Sequence, residues 1–376
     1  MGRPRCRPFC LRASRSAWED VAAGGGTGEA RMLGARFRSG CIAAVVVLSL
    51  TTPLVAQGID IDAAWRRMFA RPASPPPAPA DNPLAADRIA LGARLFADTR
   101  LSGAGDRACA TCHRPDRAFT DGRRRALGLS GAHLQRNTPA LWNLAWGKHF
   151  FWDGRASSLE EQVAMPIVAA REMGGDWPTI LRRLEKDQDL VDQLRAARMG
   201  APAGSQAAVV AALAAYVRSL VSPPTRFDAW VAGDGTALRP AEVRGFRLFT
   251  GKGGCVLCHV GWRFTDDRFH DIGLASRDGG RGAVPGGTPG LKAFKTPSLR
   301  EVTRTAPYMH DGSLASLEAV VAHYAGSFVA RPSLSTNLVR DLRLSPAERA
   351  DLVAFLRTLS SGQPKGPARC ARSGPD

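Results

Sequence analysis

The sequence predicts a mainly α fold built as two tandem units with long loops. Three observations carry this. Leu91-Gly92-Ala93-Arg94-Leu95-Phe96 precedes one Cys-X-X-Cys-His pentad and Arg244-Gly245-Phe246-Arg247-Leu248-Phe249 precedes another, so helix, pentad and loop recur along the chain. No run of any length alternates apolar and polar residues as a half-buried strand would. The 39 Gly and 26 Pro suit irregular connections between helices.

Taken in order, residues 1–31 are Arg- and Gly-rich, lack apolar periodicity, and read as upstream sequence outside the natural product. Residues 32–56 read as an export signal: Met32 opens a basic stretch with Arg36 and Arg38, Cys41 to Leu50 is an apolar core, and Leu54-Val55-Ala56 ends in a small residue. The run is short for a spanning helix, so a cleaved signal and a periplasmic product are expected, a retained N-terminal anchor being the alternative. Residues 57–81, with Pro75-Pro76-Pro77, read as a Pro-rich linker. The first unit is placed at 82–225. It opens with helical apolar spacing from Leu84 to Phe96 and closes with a helix from Gln206 to Leu220, ended by Pro223-Pro224. The second unit is placed at 240–362. In its last helix Ser345 is the N-cap, Pro346 takes the first turn, Glu348 completes a capping box, and Leu352, Phe355, Leu356 and Leu359 form one apolar face. Residues 363–376 are a polar tail.

The pentads are Cys109-Ala-Thr-Cys112-His113 and Cys255-Val-Leu-Cys258-His259. Each is the attachment signature of a c-type haem, in which two thiols add across the vinyl groups and the adjacent His ligates iron. A zinc site would need further Cys or His at ligand spacing, and a redox dithiol an α/β pattern, and neither accompanies the pentads. Two covalent haems are therefore expected, each in a cytochrome c-type domain. Once the first 56 residues and the four haem cysteines are set aside, only Cys370 remains, so no structural disulfide is expected in the exported chain. The net charge is +17, of which +12 falls outside residues 1–56. That balance suits an acidic partner face or an anionic surface. No basic run is interleaved with aromatics, and nucleic-acid binding is not expected.

Between and after the pentads lie Arg136-Asn137-Thr138-Pro139, Phe150-Phe151-Trp152-Asp153-Gly154-Arg155, Gln162, Pro166, Glu172-Met173 and Thr305-Ala306-Pro307-Tyr308-Met309-His310-Asp311-Gly312. This ordered set, from about Asn82 to Leu359, closely resembles the bacterial di-haem cytochrome c peroxidase and MauG family. The resemblance implies two haems near the domain interface, the N-terminal one with an open face for hydrogen peroxide. It maps the catalytic distal residues onto Gln162, Pro166 and Glu172. Glu172 would move the proton that O–O cleavage requires, Gln162 would orient peroxide, and Pro166 would keep the distal side free of ligands. Trp152 maps onto the Trp between the haems, and Asn137, Thr305 and Pro307 onto an inter-domain calcium site whose oxygen ligands suit that ion.

The same alignment puts the sixth ligand of the second haem on Tyr324. Leu317, Val320, Val321 and Tyr324 share one helix face, and Gly326 would stop that helix. Met309 and His323 are the alternatives. Thioether sulfur favours Fe(II), whereas a phenolate stabilises higher oxidation states. Two departures are visible. Gly253 stands where members that oxidise a protein partner carry a surface Trp. Leu129 stands where members needing reductive activation carry a distal His, with His133 at a shifted spacing. His149, His270 and His310 read as loop or packing residues, and Asp153 and Arg155 as structural or propionate contacts. The implied function is an exported peroxidase that passes oxidising equivalents through Trp152 to a Tyr-ligated haem, with electrons from a small c-type cytochrome or cupredoxin. The alternatives are oxidation of a residue in a partner protein and, from another class, a non-enzymatic electron-transfer cytochrome.

Overall fold

Eleven α-helices and a two-stranded ribbon order the described residues, 61–197, 201–326 and 328–362, of the computed structural model. The upstream segment, the export signal and the polar tail lie outside these residues. Among the described residues no helix is long and apolar enough to cross a membrane. The helices are α1 (Ile61–Phe69), α2 (Ala86–Phe96), α3 (Cys109–Cys112), α4 (Leu159–Val168), α5 (Trp177–Leu184), α6 (Gln188–Ala196), α7 (Gln206–Ser219), α8 (Arg226–Val231), α9 (Pro240–Thr250), α10 (Leu317–Tyr324) and α11 (Pro346–Arg357). Strands β1 (Phe269–His270) and β2 (Phe294–Lys295) pair antiparallel, with Phe269 opposite Lys295. Long loops separate these elements, as the Gly and Pro content leads one to expect.

Two hydrophobic cores form within the compact unit that begins at Gly58. The first is built on α2 crossing α7, the second on α9 crossing α11. The repeated hexapeptides explain why these crossings match. Each has Gly in its second position, and each Gly sits where the helices touch. A Cβ on Gly92 would lie 2.0 Å from the Ala212 carbonyl oxygen, and one on Gly245 would lie 2.0 Å from that of Asp351. Backbones can approach this closely only without a side chain between them. Gly245→Ala is therefore expected to force α9 and α11 apart and cost about 1–3 kcal/mol. A fall in the thermal unfolding midpoint of the haem-loaded protein would show it, and an unchanged midpoint would mean that the crossing is loose.

Capping follows the sequence. Ser345 accepts from the Glu348 amide, and Glu348 returns a bond to the Ser345 amide at 2.8 Å. Ser158, Ser205 and Ser316 cap α4, α7 and α10 by accepting from the amide three residues on, without a returned bond. One expectation is corrected. Residues 57–81 are not linker throughout, because α1 lies within them and packs on α8. Its Phe69 is fully buried in the second core, stacked on Phe264 at 4.7 Å between ring centroids. Ile61, Trp65, Met68 and Phe69 do recur at helical spacing, a short signal overlooked beside the Pro-rich stretch that follows, and so short a helix is held by a core assembled from residues far along the chain.

Candidate active site

The two pentads build equivalent niches. Cys109–Cys112 forms the single turn of α3, and Cys255–Leu257 a 3₁₀ turn. In the first niche His113 Nδ1 lies 3.0 Å from the Phe119 carbonyl oxygen, and in the second His259 Nδ1 lies 2.8 Å from that of Phe264. Phe119 and Phe264 both hold left-handed backbone, φ 60° and 57°, which turns those carbonyls toward the imidazoles. Burial pushes both imidazole pKa values down, the backbone bonds only partly offsetting it. Neutral rings that donate from Nδ1 leave Nε2 as a ligand for iron. Burial also pushes the Cys109 and Cys255 thiols up to about 12, and none of the four cysteines is in a disulfide. Such thiols are not poised as a redox dithiol.

Both niches open on one cavity of about 740 Å³. Every candidate residue from the sequence lies on its wall: the four cysteines, the two histidines, Gln162, Pro166, Glu172, Trp152, Tyr324, Asn137, Thr305 and Pro307. Thr138 Oγ1 and Trp142 Nε1 are buried on the same wall without a hydrogen-bond partner. Buried polar groups left so cost stability unless something else satisfies them. A largely apolar cavity with paired thiols, ligand-ready imidazoles and unsatisfied polar groups fits c-type haem, an apolar macrocycle with carboxylate edges.

On the first niche's side, Gln162 and Pro166 stand one turn apart on α4, hence on one face, and Glu172 follows in the turn after the helix. Pro166 has no N–H to give the Gln162 carbonyl. The Glu172 carboxylate has no hydrogen-bond partner among the described residues. Desolvation raises its pKa and the Arg155 charge partly opposes this. His133 is exposed and off the cavity wall, with Nδ1 3.4 Å from the Arg125 carbonyl oxygen.

Trp152 is held at both ends. Its indole N–H donates to the Asn137 carbonyl at 2.9 Å, and its own carbonyl accepts from the Lys295 amide of β2 at 2.8 Å. The Asn137 side-chain N–H₂ donates to the Arg123 carbonyl at 2.8 Å, which leaves Oδ1 available, and Thr305 and Pro307 line the same cavity. On the second niche's side, Leu317, Val320, Val321 and Tyr324 all reach the wall from α10, and Gly326 ends the helix region at φ 119°. Tyr308 gives its hydroxyl to the Val302 carbonyl at 3.1 Å, whereas the Tyr324 hydroxyl has no such partner among the described residues. Burial, and then the Cys255 and Cys258 thiols, push that hydroxyl well above its ordinary value. His323 is engaged elsewhere, 2.9 Å from the Ile272 carbonyl oxygen, but Met309 does reach the wall.

Comparison with known proteins agrees with this geometry. The chain is 49% identical over 304 residues to methylamine utilization protein MauG of Methylorubrum extorquens, covering 80% of this chain and 85% of that protein. The profile for di-haem cytochrome c peroxidase matches residues 86–236. The chain belongs to the di-haem cytochrome c peroxidase family. Cytochrome c551 peroxidase of Nitrosomonas europaea is 32% identical over 308 residues, 77% of this chain and 84% of that one. The crystal structure of a MauG-like protein associated with microbial copper homeostasis superposes with a TM-score of 0.70 at 34% identity, covering 77% of this chain and 94% of that one. The protein is thus an oxidoreductase of a di-haem c family.

Three features of this family member were not foreseen. The carbonyls of Pro139 and Pro297 also face the two imidazoles, and they lie in Thr138-Pro139-Ala140-Leu141 and Thr296-Pro297-Ser298-Leu299, a repeat that sequence comparison of the halves could have found. His270 is no plain loop residue. Nε2 lies 2.8 Å from Asp266, Nδ1 lies 2.9 Å from the Ser335 hydroxyl, and Asp266 chiefly, with Cys258, pushes its pKa up to about 9. Arg136 joins Asp153 at 2.5 Å to Asp278 at 2.7 Å, tying the Trp152 segment to the loop before β2.

Proposed function

We propose that this protein is a peroxide-driven di-haem oxidoreductase whose second haem takes Tyr324 as its sixth ligand. The observation that carries it is one cavity holding an unpaired acid, Glu172, near Cys112 and an unpaired phenol, Tyr324, near Cys255 and Cys258. Cys109, Cys112 and His113 would hold the first haem, and Cys255, Cys258, His259 and Tyr324 the second, within domains spanning 82–225 and 240–362. When bound, the haems supply iron for peroxide cleavage and for storage of oxidising equivalents.

Glu172 as carboxylate takes the proton from one peroxide oxygen and returns it to the other, which leaves as water. Gln162 orients peroxide, and Pro166 keeps side-chain ligands away. Trp152, clamped between Asn137 and Lys295, provides an oxidisable indole in fixed orientation. Asn137 Oδ1 with the Thr305 and Pro307 carbonyls would hold calcium beside it. Electrons return from a small redox protein. Gly253 supports that route, because a Cβ there would lie 2.7 Å from the Leu248 carbonyl oxygen, leaving no room for an aromatic exit. The 49% identity to MauG supports a second reading, oxidation of a residue in a partner protein.

The resting ferric holoenzyme is expected to show one high-spin and one low-spin haem by EPR. Two low-spin signals at neutral pH would overturn the open peroxide face and bring His133 back as a ligand.

A further inference from the structure

The twelve residues from Arg114 to Arg125 hold five arginines and two aspartates. Asp116 is neutralised by Arg114 at 2.8 Å, and Asp121 is buried with its Oδ1 taken by the Arg123 amide at 3.0 Å. Arg117, Arg123 and Arg124 are exposed, and the side chains of Arg123 and Arg124 make no hydrogen bond or ion pair among the described residues. Arg117 Nη1 donates to the Asp121 carbonyl at 3.4 Å and would lie 2.6 Å from a Cβ on Gly122, so its charge sits at the same loop tip. A run of arginines is usually just a solvated face. This one is set apart by what its backbone holds. The Arg123 carbonyl accepts from the Asn137 side chain at 2.8 Å, and the Asn137 carbonyl accepts from the Trp152 indole N–H at 2.9 Å. A Cβ on Gly312 would lie 2.1 Å from the Arg124 carbonyl oxygen, and the Asn137 amide donates to the His310 carbonyl at 2.8 Å. The basic tip is thus seated on the segment before α10, and two hydrogen bonds join it to Trp152.

We propose that this loop, with Arg117, Arg123 and Arg124 at its tip, is the docking surface for a small redox protein with an acidic face, whose electrons enter through Asn137 to Trp152. This rests on the proposed peroxidase reading. Charge names the partner. Guanidinium groups stay charged at any working pH, and cations without a partner in their own chain steer an oppositely charged protein before contact. Each peroxide takes up two electrons and two protons in becoming two waters, so two donor molecules are each oxidised by one electron at this surface. The competing entry is the second pentad, where Leu257 is 52% exposed between Cys255 and Cys258. Contact there would be apolar, and Lys252, the basic residue just before that pentad, is already paired with Glu348 at 2.6 Å. No printed bond leads from Leu257 to Trp152, whereas the arginine loop reaches it in two.

The test uses the haem-loaded enzyme, hydrogen peroxide and three donors: an acidic cupredoxin, a basic c-type cytochrome and the small neutral donor tetramethyl-p-phenylenediamine. The parent enzyme should oxidise the acidic protein faster than the basic one, and added salt should slow it. R123E/R124E should slow oxidation of the acidic protein about 10-fold at low salt and flatten its salt dependence, with a smaller loss in R123Q/R124Q. These substitutions leave the Arg123 carbonyl in place. Both haem spectra, peroxide cleavage by stopped flow and turnover of the phenylenediamine should therefore match the parent, and L257S should leave the acidic-donor rate unchanged. A rate unmoved in R123E/R124E, or slowed in L257S instead, would overturn the proposal. So would a preference for the basic cytochrome, or turnover of the phenylenediamine without turnover of the acidic protein. If peroxide drove oxidation of none of the three, the peroxidase reading would fail first and this surface with it, so the two failures are distinguishable.

Discussion

Replacing Glu172 by Gln is expected to leave both haems attached and to slow peroxide cleavage by about 10²–10⁴-fold, the range for loss of a positioned acid–base group. Gln has nearly the same volume and hydrogen-bonding reach but cannot carry a proton at neutral pH. The position makes this a sharp test. Glu172 stands in the turn after α4, its amide bonded to the Ala169 carbonyl at 2.9 Å, so the backbone that presents it does not depend on its carboxylate. With no side-chain partner to lose, the substitution should disturb little besides proton transfer. The sign of the pH dependence follows from burial, which raises the carboxyl above an ordinary glutamate. With the carboxylate as the proposed working form, the parent rate should climb as pH rises through that elevated value, and the variant should lack the climb. Stopped-flow measurement of peroxide consumption across pH checks both. An unchanged rate with an unchanged acid limb would assign proton transfer to another group on the wall.

What could be read from the sequence was what a short stretch of chain decides for itself. Both pentads, the capping box at Ser345 and the α10 face that carries Tyr324 are local patterns, and the structure reproduces them. The residues of the candidate site were named from a resemblance, and they converge on one cavity although they are spread from Cys109 to Tyr324. What escaped depends on contacts between distant segments. Phe69 turns α1 from linker into core only because Phe227, Phe246 and Phe264 surround it. Arg136 and Asp278 stand 142 positions apart, and no spacing rule joins them. His270 looked solitary because Asp266 is set against it by local backbone, while Ser335 arrives from a loop 65 residues later. The twin glycines were visible in the repeat, but their meaning needed the crossing partners.

Whether Tyr324 ligates the second iron, as proposed, decides which branch of the family this protein follows, and two substitutions there should then move the second haem in different ways. A phenolate ligand keeps the potential low, so the fully ferric enzyme should react with peroxide without prior reduction. Tyr324→Met is expected to raise the second-haem potential by a large margin, because thioether sulfur favours Fe(II). It should also disfavour sharing of the oxidised state between the haems. Tyr324→Phe should remove the ligand while keeping an aromatic ring on the α10 face shared with Leu317, Val320 and Val321, and so change the second-haem spectrum. The protein environment sharpens the expectation. Burial opposes ionisation of the hydroxyl in the chain alone. The thiol contribution to that opposition vanishes once Cys255 and Cys258 become thioethers, so a cationic iron can stabilise the phenolate. Potentiometric titration with optical detection, beside EPR of each variant, reads these changes. Were Tyr324→Phe to keep the parent spectrum and potential, Tyr324 would be a packing residue. Met309, which reaches the same wall, would then be the ligand to replace, and the enzyme would belong with those that must be reduced before they turn over.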